Sequence, residues 1–251
     1  MSANARPDRL CGPASGDFDA RLAHSVDVLQ RAAADAPCVL ASSLSAEDMV
    51  VLDLIARHAL PIAVFTLDTG RLHAETLALI PHAEQRYGIT IERFGPLAQP
   101  LEQYITLHGR DAFYRSVELR KQCCAIRKTE PLARALAGKR AWVTGLRRAQ
   151  SATRTALAER DWDATHGLTK YNPLAEWTEG DVWHYIDTRD VPYNPLHDRF
   201  YPSIGCEPCT RAISPGEDIR AGRWWWESPE SKECGLHVAA AAPAATIKEA
   251  A

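Results

Sequence analysis

The feature that most restricts this chain is a hydrophobic period that switches back and forth along its first 150 residues. "CVLASSL" (38 to 44) is a continuous apolar run of strand length, and "AEDMVVLDLIARH" (46 to 58) behind it has the three- and four-residue spacing of a helix. The pattern then recurs. "PIAVFTLD" (61 to 68) predicts a strand, "RLHAETLALIPHAEQRYG" (71 to 88) a helix ending at Gly88, and "ITIERF" (89 to 94) a third strand. An amphipathic helix is expected over 17 to 34, ahead of the series, and "RAWVTGL" (140 to 146) adds a further strand. Strands that alternate with helices imply α/β architecture, a doubly wound and mostly parallel sheet. "TEGDVWHYIDTRD" (178 to 190) predicts a helix opened by a Thr178/Asp181 capping box, and from about Val191 Pro, Gly and Trp predict irregular structure wrapped on the sheet.

With 251 residues, 46% of them hydrophobic, the chain can bury one sizeable core. The expected organisation is one domain over 17 to 237, between a leader (1 to 16) and an alanine-rich tail (238 to 251). A net charge of -3 gives no global basic field, so no nucleic-acid partner is expected and any anion site must be local. No stretch has the apolar length of a membrane span, and the N-terminus lacks the apolar segment of a secretory signal. A cytoplasmic protein with no membrane partner is expected.

Ligands of open α/β sheets bind beyond the carboxyl ends of the strands. "SSLSAED" (42 to 48) joins the first strand to its helix and offers hydroxyls and N–H groups for an anion or a ribose. The same residues also read as a plain capping box, Ser45 with Asp48. The glycines of Rossmann and Walker loops are missing. "LDTGR" (67 to 71) stands in the equivalent place after the second strand, where Asp68 and Thr69 either meet a nucleotide or start the next helix.

The cysteines speak more strongly. Cys123 and Cys124 are adjacent in "KQCCAIRKTEPL", and Cys206 and Cys209 form a C-x-x-C in "GCEPCTR". Two tight pairs far apart in sequence suit a metal centre that staples two segments. Zinc is the ordinary occupant of four cysteines, but zinc knuckles supply spaced pairs, so the adjacent thiols favour an iron-sulfur cluster. Cys11 and Cys38 read as bystanders, and Cys234 in "SKECGLH" is left unpaired. Cations are gathered nearby in sequence: Lys128 after the C-C pair, Arg147, Arg148 and Arg154 in "GLRRAQSATR", and Arg220 with Arg223 in "EDIRAGRWWWE". Many such residues only solvate a surface, but cations beside a thiol lower its pKa and hold an oxyanion.

Taken in order, "KQCCAIRKTEPL", "GLRRAQSATR", "GCEPCT" and "KECGLH" resemble the assimilatory adenylyl-sulfate (APS) reductases that carry a [4Fe-4S] cluster. The likeness runs from "SSLSAED" to His237. Related phosphoadenylyl-sulfate (PAPS) reductases share "ECGLH" but typically lack both cysteine pairs. The resemblance implies a fold similar to the adenine nucleotide alpha-hydrolases, although "SSLSAED" departs from the glycine-rich loop of the ATP pyrophosphatases in that group. It implies Cys234 as nucleophile on a catalytic segment of about 224 to 237, and Cys123, Cys124, Cys206 and Cys209 as cluster ligands. It places Lys128, Arg154, Arg220 and Arg223 on the phosphosulfate. Ser42, Ser43, Leu44, Leu67, Thr69 and Gly145 fall on the adenosine, with Ser43 and Leu44 departing from the aromatic and small residues often found there. His237 is assigned to the substrate as well. The implied partners are adenylyl sulfate, a separate thioredoxin or glutaredoxin as reductant, and further copies of the chain in a homo-oligomer. The competing expectations are a PAPS reductase and a metal-stapled nucleotide-binding protein of the ATP pyrophosphatase type.

Overall fold

A computed structural model describes residues 12 to 150 and 156 to 228. The expected leader and tail, and with them Cys11, Arg154, Cys234 and His237, lie outside the described residues except for 12 to 16. Helix α1 (Phe18–Ala34) leads into strand β1 (Cys38–Ala41), helix α2 (Ala46–Arg57), strand β2 (Ala63–Leu67), helix α3 (Ala74–Tyr87) and strand β3 (Ile91–Phe94). Helix α4 (Ala98–His108) precedes helix α5 (Val117–Cys124), a π turn (Ala125–Thr129) and helix α6 (Glu130–Leu136). Strands β4 (Ala141–Val143), β5 (Arg160–Asp163) and β6 (Leu168–Tyr171) and helix α7 (Glu179–Arg189) follow.

The sheet has six strands in the order β3-β2-β1-β4-β6-β5, and all neighbours are parallel except the β5/β6 pair. This is the expected doubly wound, mostly parallel architecture. The order reverses at β1, which has β2 on one side and β4 on the other. The loops leaving β1 and β4 therefore part there and open a crevice at their carboxyl ends. Helix α2 is buried on nearly every face, Met49 through Ile55 included, because it starts at this crevice and packs against α7. Thr178 and Asp181 form the expected capping box, and Gly88 ends α3 in the left-handed conformation that favours glycine.

Past Arg189, the described residues form turns and short 3-10 segments, as the Pro, Gly and Trp content predicts. An isolated bridge between Leu72 and Cys206 ties this stretch back to the loop after β2, and a second, between Thr210 and Arg223, folds it on itself. Among the described residues no helix is long and apolar enough to cross a membrane.

Candidate active site

A cleft of about 250 Å3 occupies the crevice. Its lining includes Ser42, Ser43, Leu67, Thr69 and Gly145 together with the cations Lys128, Arg220 and Arg223. The loops after β1, β2 and β4, the π turn and the irregular C-terminal stretch thus bring eight of the expected substrate residues around one space. Leu44 is different. Its side chain is fully buried in the core beneath the loop, and its backbone adopts a φ of 62°. The expected capping box of Ser45 with Asp48 is also absent, since the Ser45 side chain makes no capping bond.

Asp48 is engaged elsewhere. Its Oδ2 accepts the Ser43 backbone N–H at 2.7 Å and the Ser43 hydroxyl at 2.6 Å, while Oδ1 accepts the Gly145 N–H at 3.1 Å. One carboxylate therefore ties the β1 loop to the β4 loop across the crevice. Burial pushes its pKa up to about 6, against the pull of these hydrogen bonds. Gly145 has to be glycine, because a Cβ there would run into the Asp48 carboxylate. Beside it, Glu47 Oε1 accepts from Arg147 Nη2 at 2.8 Å and from Gln150 Nε2 at 2.9 Å. Burial would raise Glu47, but the Arg147 guanidinium holds it below the usual range; Glu179, 3.8 Å from Arg147, is raised by its own burial. These carboxylates went unread as site residues, their only local trace being the "ED" that opens α2.

The placement of Lys128 depends on a local irregularity. Cys123 and Cys124 are the last residues of α5, and the chain continues at once into the π turn. An α-helix aligns residues four apart, whereas i to i+5 bonding aligns residues five apart, such as Cys123 and Lys128. Lys128 accordingly lines both the cleft and a second, smaller cavity, as do Cys206 and Trp224. The segment carrying Arg220 and Arg223 is not a helix, yet both residues line the cleft. Arg223 lies over the Trp224 ring, 4.7 Å from its centroid, and packs against Gly205, where a Cβ would come within 2.5 Å of it.

The second cavity is lined by all four cysteines of the two pairs, Cys123, Cys124, Cys206 and Cys209. Burial raises the thiols of Cys123 and Cys209, the latter to about 12. Among the described residues no three His, Cys, Asp or Glu side chains converge closely enough to hold a single metal ion. Two further residues lining this cavity, Arg127 and Trp224, carry buried N–H groups, Nε and Nε1, without a hydrogen-bond partner. The cavity is joined to the loop after β2, as Arg127 Nη1 donates to the Thr69 carbonyl at 2.6 Å and Thr69 Oγ1 lies 3.3 Å from Cys206 Sγ.

Known proteins share this sequence and fold. The phosphoadenosine phosphosulfate reductase domain matches residues 37–212. A protein named adenosine 5'-phosphosulfate reductase from Burkholderia cepacia is 60% identical over 210 residues, 84% of each chain. Another of that name, from Allochromatium vinosum, is 60% identical over 199 residues, 79% of this chain and 78% of its own. Among solved structures, a phosphoadenylyl-sulfate (PAPS) reductase from Candida auris in a phosphate complex has a TM-score of 0.65 at 26% identity, covering 81% of this chain and 100% of that one. FMN adenylyltransferase from Candida glabrata, at 14% identity and a TM-score of 0.54 over 94% of this chain and 80% of its own, shares the fold alone. With the domain spanning most of its length and such identity to these relatives, the chain belongs to the phosphoadenosine phosphosulfate reductase family, among its adenosine 5'-phosphosulfate reductases.

Proposed function

We propose that this protein reduces adenylyl sulfate to sulfite and AMP at the expense of a dithiol, with Cys234 as nucleophile. The observation that carries the reading is the shared wall. Lys128, Cys206 and Trp224 line both a nucleotide-sized cleft, which Arg220 and Arg223 also line, and a cavity lined by four cysteines. Adenosine then lies toward Ser42, Ser43, Leu67, Thr69 and Gly145, and the phosphosulfate toward Lys128, Arg220 and Arg223. Arg154 and His237 complete the substrate set on the strength of the family likeness.

In the first step the Cys234 thiolate attacks the sulfate sulfur. A sulfur-sulfur bond forms, the bond from sulfur to the bridging oxygen breaks, and AMP leaves with the electron pair. The cations stabilise the negative charge that accumulates on the leaving phosphate, which is where fixed charges accelerate such a displacement. In the second step a thiolate of thioredoxin or glutaredoxin attacks Cys234 Sγ and expels sulfite. The partner's second thiol closes its disulfide and frees Cys234, so sulfur gains two electrons and the dithiol loses two.

Cys123, Cys124, Cys206 and Cys209 are proposed to hold a [4Fe-4S] cluster. A single ion needs ligands gathered at a point, whereas a cluster takes one thiolate at each of four irons around its body. Thiols that line a cavity without converging suit the cluster. The unpartnered Arg127 and Trp224 N–H groups suit a guest whose sulfurs accept hydrogen bonds. Bound there, the cluster supplies a fixed charge beside Lys128 and a brace between the two cysteine segments.

The test is anaerobic purification with iron and sulfide analysis, then reaction with adenylyl sulfate without reductant. At most one AMP per site and a sulfonate on the Cys234 peptide are expected, with sulfite appearing only when a dithiol is added. Multiple turnovers without dithiol, or activity in Cys234→Ser, would overturn the reading. The Candida auris likeness keeps PAPS as the second candidate substrate, and faster turnover of the 3'-phosphorylated nucleotide would select it.

A further inference from the structure

Arg120 is a charged side chain set in the interior, 1% exposed. Its Nε and Nη2 donate to the two carboxylate oxygens of Glu227 at 2.9 and 2.8 Å, and the Glu227 side chain is itself 3% exposed. The same guanidinium lies over the Trp224 ring, 4.6 Å from its centroid. Trp224 N–H donates to the Cys209 carbonyl at 3.1 Å, and Glu227 N–H to the Trp224 carbonyl at 2.9 Å. The turn from 224 to 227 is thereby fastened to both cysteine segments, to the Cys206/Cys209 loop through its backbone and to the Cys123/Cys124 helix through Arg120.

A buried ion pair is a poor device for stability alone, since apolar side chains of similar volume commonly do as well. What a two-pronged guanidinium-carboxylate pair adds is direction, because both hydrogen bonds form in one orientation only. The element that needs direction here is the chain that follows. Cys234 comes seven residues after Glu227, and seven residues reach at most about 25 Å, so the place where Glu227 is held limits where that thiol can go. Arg223, which lines the cleft, directly precedes this turn.

We propose that Arg120 and Glu227 are a positioning pair for Cys234: they fix the start of its segment to the cysteine-bearing helix, so that an assembled cysteine centre presents the terminal thiol to the cleft. The inference rests on the reading of Cys234 as nucleophile. The test compares wild type with Glu227→Gln, which removes the charge, and Glu227→Asp, which keeps it but is too short for the two-pronged geometry. Each is followed for the rate of Cys234 sulfonation without reductant, for iron content and for AMP affinity. The expected result is sulfonation slowed tenfold or more in both variants, with iron content and AMP affinity within twofold of wild type. Should Glu227→Gln fail to accumulate, Glu227→Asp decides alone. A normal adduct rate in a variant of full iron content overturns the inference while leaving Cys234 as nucleophile. Parallel loss of iron and adduct in every soluble variant also overturns it, reducing the pair to a support of the metal centre. Wild-type protein that forms no adduct at all overturns the Cys234 reading and this inference with it.

Discussion

Asp48 Oδ1 accepts the Gly145 N–H at 3.1 Å, and this single bond joins loops that leave β1 and β4 on either side of the point where the strand order reverses. A methyl group at position 145 would have to displace the carboxylate, whose other oxygen holds Ser43 in place. Gly145→Ala is expected to lose about 1–3 kcal/mol of stability through overpacking. It should weaken AMP binding as well, because both loops line the cleft. Urea unfolding and AMP titration measure the two effects, and an unchanged AMP affinity would remove Gly145 from the adenosine pocket.

The same carboxylate makes stability depend on pH. Asp48 has its pKa raised from 3.8 to about 6 in the folded protein. Between those values the native state keeps a proton that the unfolded chain has released, so stability falls as pH rises through the window. The penalty is absent below the unfolded value and complete above about pH 6, where a shift of this size corresponds to about 3 kcal/mol. Asp48→Asn cannot ionise. The stability difference between wild type and this variant should therefore change by about 2 kcal/mol between pH 4 and pH 7, whatever constant loss of hydrogen bonds the variant carries. A difference that stays flat over this range would show that Asp48 titrates as an ordinary carboxylate.

Arg220 and Arg223 should separate when each is replaced by Ala. Arg220 is half-buried at the cleft, and its loss should remove about 2 to 4 kcal/mol of transition-state stabilisation while leaving unfolding nearly unchanged. Arg223 is 9% exposed, lies over Trp224 and donates to Ser203 Oγ at 3.2 Å, so Arg223→Ala should impair both turnover and stability. Wild-type kcat/KM in both variants would return them to a structural role.

Cys209→Ser should abolish iron binding and lower the thermal midpoint together, because a metal that staples two segments contributes its binding free energy to folding. Its backbone carbonyl would still accept the Trp224 backbone N–H, and the Arg120 pair with Glu227 does not use this side chain, so the turn from 224 to 227 keeps both of its attachments. Full iron content in this variant would remove Cys209 from the ligand set.

The parallel sheet was legible because its signals are local. Apolar runs of four or five residues separated by helical spacing gave β1 to β4 and α1 to α3, with Gly88 marking a helix end. The expected strand over 38 to 44 ended three residues early because Ser43 is held by Asp48 and Leu44 adopts a positive φ, and neither shows in hydrophobicity. The "RDWD" of β5 was unread for a different reason: an edge strand that exposes Arg160, Asp161 and Trp162 has no buried face to leave a pattern. Of the candidate site, the two cysteine pairs stand out by type and spacing, while Lys128, Arg220 and Arg223 are picked from among the chain's cations by the family resemblance. The partners that position them were not legible, since the Asp48 bond to Gly145 spans 97 positions and the Arg120 pair with Glu227 spans 107.

The π turn over Ala125–Thr129 amounts to one residue more than an α-helix needs between Cys123 and Lys128. Its consequence is a matter of phase. Wound as regular α-helix with no residue lost, the same sequence would keep every charge and thiol of the chain but rotate everything beyond the turn by about 100°. Lys128 would swing out of the wall between the two cavities. Deleting one residue at the same time would bring it back, because four residues of α-helix cover the phase of five in the π turn. Whether a cation stands in that wall is thus set by how one extra residue is wound, so that a change with no chemistry of its own can disconnect the two compartments.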